Sequence, residues 1–125
     1  MTLFEAEFER CSKWLQDALD YAGNTHDLHH VAKGIKGGHF QFWPAPEAAI
    51  VTELIYYPKF TILHAWLVGG QLEQVIQMIP SLEAYGRAFN CSKLTGCGRS
   101  GWVRALKQHG FEGIMTTVSK EIRHV

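Results

Sequence analysis

The sequence predicts a single α/β domain (α+β by strict layer counting), a mixed central sheet flanked by helices. Three observations carry this. The first is two runs rich in β-branched and aromatic residues, Ala48–Tyr57 and Phe60–Val68, separated only by Pro58-Lys59, which reads as an antiparallel hairpin. The second is Gly69-Gly70 at the end of the second run, followed by Leu72, Val75, Ile76 and Ile79 at helical spacing: a strand turning directly into a helix. The third is an amphipathic N-terminal stretch in which Leu3, Phe4, Phe8, Cys11, Leu15, Ala18 and Leu19 form one stripe.

Taken in order, residues 2–21 form the first helix, with Thr2 as cap and Glu5 placed to complete a capping box. Gly23-Asn24 closes it. A shorter helix begins after Thr25 or Asp27 and runs to Lys36, where Gly37-Gly38 stops it. His39–Trp43 alternates polar and aromatic residues as a strand and ends at Pro44-Ala45-Pro46. The hairpin follows, with Thr61–Val68 as a central strand. Pro80 then kinks the next helix or splits it into 71–79 and 81–89. Ser92–Cys97 is a short strand with Leu94 and Cys97 in the core, 102–109 a helix ended by Gly110, and Ile114–Ile122 a last strand. The predicted order over residues 1–125 is therefore α-α-β-β-β-α-β-α-β.

Composition narrows the function classes. The chain is 46% hydrophobic and 12% aromatic, which is enough for a packed core and unlike a disordered segment. Twelve Lys and Arg balance twelve Asp and Glu, so no overall field or basic stripe draws the chain to nucleic acid. No apolar run reaches the ~20 residues of a membrane span. Met1–Asp20 is amphipathic and carries three Glu, unlike a secretory leader. Three cysteines without framework spacing suit a reducing cytoplasm.

Several residues could carry chemistry. If Tyr57 lies opposite Phe60, Glu53 falls across from His64, and a carboxylate beside an imidazole is a general-base arrangement. The same pair is also an ordinary cross-strand contact between two half-buried polar groups. The amides at the strand-to-helix corner, Val68, Gly69, Gly70, Gln71 and Leu72, can hold an anion. Close packing alone explains such glycines equally well. Arg99 and Ser100 precede another helix and suit a phosphate or carboxylate. The structural alternatives are an ion pair of Arg99 with Glu73 or Glu83 and an N-cap at Ser100. Trp66 and Trp102 read as core. His26, His29 and His30, and Cys91 with Cys97, lack the spacing of a metal site.

The element order, together with Gly98-Arg-Ser-Gly-Trp-Val-Arg-Ala-Leu106 followed by His109-Gly-Phe111, resembles the GNAT (Gcn5-related N-acetyltransferase) superfamily. More narrowly, the chain resembles small proteins of tailed phages and prophages. The motifs that carry this are Gly23–His26, Phe42-Trp-Pro44, Val51-Thr-Glu53, Gly69-Gly70 and the Gly98–Trp102 run. The resemblance implies an acyl-CoA N-acyltransferase-like fold and a bacterial host cytoplasm, with virion association as an extension. Two family features are missing: the phosphate loop is reduced to Val68-Gly-Gly-Gln71 without a basic residue, and the position of the usual tyrosine acid is Leu106. The resulting expectation is a degenerate member acting by binding a protein in virion assembly or host interaction. The alternative is an active enzyme that holds CoA or acetyl-CoA at Gly69–Leu72 and uses Glu53 as base.

Overall fold

The sheet grows outward from the hairpin. In the computed structural model, which describes residues 1–124, β2 (Ala48–Tyr56) and β3 (Thr61–Gly70) pair antiparallel, and Tyr57 N–H donates to Phe60 O across the turn at 2.9 Å. β1 (Gln41–Ala45) adds antiparallel to β2, and β4 (Lys93–Gly96) adds parallel to β3, giving the order β1-β2-β3-β4. The parallel pair needs a crossover, supplied by α3 (Leu72–Ala88). Two further helices, α1 (Leu3–Tyr21) and α2 (Leu28–Lys36), precede the sheet, and α4 (Ser100–Leu106) with a 3₁₀ turn at Lys107–His109 follows it.

Helices cover both faces, each with its own cluster of buried side chains. On one face, Cys11, Leu15 and Leu19 of α1 and Val31 of α2 close on Ala49, Val51 and Leu67. On the other, Val75 and Leu82 of α3 close on Ala48, Ile50, Leu63 and Ala65. Each fully buried Leu stabilises the fold by roughly 1.5–3 kcal/mol. Leu67 changes face relative to Leu63 and Ala65 because β3 carries a bulge. Val51 pairs with Leu67 and Thr52 with Ala65, so Trp66 is the extra residue and the alternation inverts there. Thr52, the one buried polar side chain among the described residues, accepts from Trp43 Nε1 and donates to Gln41 Oε1, both at 2.9 Å. Arg10 ties α1 to the β1–β2 turn, donating to the carbonyls of Ala45 and Pro46 at 2.9 Å.

Beyond shifts of one residue at element ends, five features depart from the expectations. β1 starts two residues later than His39 and runs through Pro44, which a strand at the sheet edge tolerates. β3 continues through both glycines rather than ending at Val68. Of the two outcomes expected at Pro80 the split is not found, since α3 runs unbroken from Leu72 to Ala88; Pro80 lies on the exposed side, where water can meet the carbonyl that its missing N–H leaves free. α4 begins at Ser100 rather than 102, and Arg99, not Ser100, is its N-cap. Ile114–Ile122 is not a strand: residues 111–124 contain no helix or strand, and Ile114, Met115, Val118 and Ile122 are exposed. Strand-like composition is a weak prior where no neighbouring strand supplies a face to pack on. No helix among the described residues is long and apolar enough to cross a membrane.

Candidate functional site

β4 pairs with β3 only from Ile62 to Ala65, so Trp66–Gly70 runs on beyond the parallel ladder. A crevice at the carboxyl ends of parallel strands is where ligands of open α/β sheets collect. Here it is a cleft of about 310 Å³. Its walls are α1 (Lys13, Trp14, Asp17, Tyr21), the end of β3 (Trp66, Val68, Gly69, Gly70), and the segment Cys97–Arg99 with Trp102 of α4. Arg99 is held over the Tyr21 ring at 5.5 Å, and Tyr21 Oη donates to Gly98 O at 3.4 Å. The Arg99 guanidinium makes no ion pair with Glu73 or Glu83; the ion pair found among the described residues is Arg10–Glu7.

The glycine corner is filled by the protein itself. A Cβ on Gly69 would overlap the Trp14 carbonyl of α1, and one on Gly70 would overlap the Glu47 carbonyl and Ala48. Gly70 also has φ +98°, a conformation that favours glycine. Both residues pair with β2, Gly69 to Ala49 and Gly70 to Ala48. Gln71 N–H is committed to Glu47 O at 2.8 Å, and the Gln74 side chain accepts from Glu47 N–H at 2.6 Å. Glu73 sits in the first turn of α3, where its charge opposes an incoming anion. Val68, Gly69 and Gly70 line the cleft, but Gln71 and Leu72 do not. The Gln71 amide is therefore already taken, and the amides at the start of α3 do not face the cleft as a cradle for the pyrophosphate of CoA would.

The hairpin register places Glu53 across from His64, as the turn length implies. The bonds that hold the imidazole come from elsewhere. His64 Nδ1 lies 2.8 Å from Thr95 Oγ1, its Cα partner on β4, and Nε2 lies 3.9 Å from Cys97 Sγ. Burial pushes the His64 pKa below its ordinary value, with the charge of Glu53 acting in the opposite sense. Cys97, expected in the core, is exposed, whereas Leu94, expected there too, is half-buried and packs against the cluster on the α3 face. Sequence reasoning missed Thr95 and Cys97 because the signal for them, the parallel register of β4 on β3, is not a local pattern. Lys13 and Tyr21 were missed as part of an amphipathic helix.

The histidines near α2 have local roles. His30 Nδ1 accepts from Asp27 N–H at 2.9 Å, closing the start of α2, and His26 packs edge-on against Trp66 with centroids 4.6 Å apart. Asp27, His29 and His30 lie together, all exposed. Trp66 and Trp102 are half-buried, and Leu106 is half-buried on α4.

No protein-family model and no curated protein matches the chain. Solved structures match in fold, among them the following three. A point mutant of a Thermus thermophilus protein superposes with a TM-score of 0.59 at 12% identity, over 80% of this chain and 82% of that one. An acetyltransferase of Trypanosoma brucei gives 0.57 at 11% identity, over 88% of this chain and 94% of that one. A possible acetyltransferase from Clostridium difficile 630 gives 0.57 at 13% identity, over 95% and 93%. The fold is GNAT-like. At these identities the likeness extends to the fold and no further.

Proposed function

We propose that this chain is a phage or prophage protein that keeps the acyl-CoA N-acyltransferase-like fold without its CoA-dependent activity and acts by binding a protein. The observation that carries this reading is the filled glycine corner. The Trp14 and Glu47 carbonyls stand against Gly69 and Gly70, and Gln71 N–H is already bonded. A pyrophosphate would have to displace these contacts, in a loop with no Lys or Arg to compensate. Leu106, where the resemblance leads one to expect a tyrosine acid, has no proton to give.

Protein binding is supported by what lies exposed beyond α4. Ile114, Met115, Val118 and Ile122 are 63–89% exposed within one stretch of chain, and β4 is a sheet edge. Extended apolar segments and free strand edges are common protein-docking elements. Capture of partners from infected or induced cells, with wild type and an Ile114→Glu/Val118→Glu variant side by side, tests the reading. A defined, stoichiometric partner lost in the variant is the expected result. A purified protein that acetylates amines from acetyl-CoA would replace this reading with the enzymatic one.

A further inference from the structure

We infer that Cys97, His64 and Thr95 form a nucleophilic thiol site, which accepts an acyl group from a thioester lodged in the aromatic cleft beside it. This goes beyond the binding role and requires no CoA. The parallel register puts Thr95 beside His64, and Cys97, two residues further, falls on the same side of the chain. Cys97 is exposed and lines the cleft together with Trp66 and Trp102, so an acyl carbonyl has room next to its sulfur. The other two cysteines differ: Cys11 is fully buried and Cys91 half-buried, and burial pushes both thiols up. Neither has an imidazole within hydrogen-bond reach among the described contacts.

The roles follow from the two contacts of the ring. With Nδ1–H donating to Thr95 Oγ1 at 2.8 Å, Nε2 carries the lone pair that faces Sγ at 3.9 Å. Thr95 is thus the positioning residue and His64 the base. Burial favours a neutral imidazole, the form able to take a proton, while Glu53 on β2 stabilises the imidazolium once it forms. In the acylation step Nε2 removes the Sγ–H proton and the thiolate attacks the thioester carbonyl carbon. The Cys97 S–C bond forms, the bond to the leaving thiolate breaks, and the imidazolium returns its proton to that thiolate. An amine or water then attacks the acyl-cysteine and gives a proton to His64. The amide or acid departs, and Cys97 is reprotonated.

The test uses the full chain and S-phenyl thioacetate at neutral pH, with peptide mapping by mass spectrometry of all three cysteines. Acetylation concentrated on Cys97, slowed roughly tenfold or more in His64→Gln, is the expected result. Thr95→Val should slow it too, and Thr95→Ser, which keeps the hydroxyl, should restore it. Each variant's denaturation midpoint is measured alongside, and the Cys97-to-Cys91 labelling ratio is the readout, which general unfolding would level. Equal Cys97 rates in wild type and folded His64→Gln, or equal rates in folded Thr95→Val and Thr95→Ser, would overturn the assignment. So would Cys91 labelling as fast as Cys97 in the wild type.

Discussion

β3 is one strand with two halves that do different things. From Ile62 to Ala65 it is paired on both sides, to β2 and to β4, and its His64 side chain stands half-buried among Thr95 and Cys97. From Leu67 to Gly70 it has β2 on one side only and is pressed against α1 and the β1–β2 turn. The bulge at Trp66 separates the halves and inverts the faces. The half with glycines at a helix N-terminus looks like a ligand loop, yet both glycines stand against backbone of α1 and of the β1–β2 turn. The half inside the ladder looks structural but gathers the polar and nucleophilic groups. A glycine pair therefore reports a close approach, and only the structure says by what.

The largest effect expected is Gly70→Val. It adds the overlap with Glu47 O to a side chain at φ +98°, and these cost about 1–3 kcal/mol each. Gly69→Val meets the Trp14 carbonyl without a positive φ, so about 1–3 kcal/mol is expected. The matching change in the other half, Gly96→Ala, finds only ordinary contacts to Ala65 at 3.5 and 3.7 Å, so it should stay within about 0.5 kcal/mol. Urea denaturation of the three variants checks the order. Equal midpoints for Gly69→Val and Gly96→Ala would erase the distinction between the halves.

The second comparison is in pH. The His64 pKa is lowered in the fold from 6.5, chiefly by burial. Below 6.5 the unfolded chain therefore binds this proton more readily than the folded one. Stability present above that pH is lost as pH falls through the folded value, and His64→Gln should flatten that part of the profile. Identical pH slopes for the two proteins would mean that the ladder half does not hold the imidazole as described. Smallest of all is Val118→Ser in the exposed segment, expected within about 0.5 kcal/mol. A cost of a core residue there would mean that this segment packs on the domain.

Much of this contrast was legible, and the limits are physical. The β2–β3 register could be read because Pro58-Lys59 fixes the turn, which brings Glu53 opposite His64. The helices α1 and α2 could be read from their apolar stripes and caps, and Thr2 Oγ1 does accept from Glu5 N–H at 3.1 Å. What fills the glycine corner could not be read, because Trp14 and Glu47 contribute backbone carbonyls, which every residue has. Nor could Thr95 and Cys97 be placed, because a parallel partner joined through a helix carries no turn to set its register. Ile114–Ile122 has the composition of a strand, yet no strand of this chain pairs with it among the described residues.

Calorimetric titration of the purified chain with acetyl-CoA tests the central claim, that the corner at Gly69–Gln71 is closed by the protein's own backbone. Binding weaker than about 1 mM, at most roughly −4 kcal/mol, is the expected result. A micromolar dissociation constant that is lost in a folded Gln71→Pro variant would contradict it, since the cofactor would then be using the amide assigned to Glu47 O.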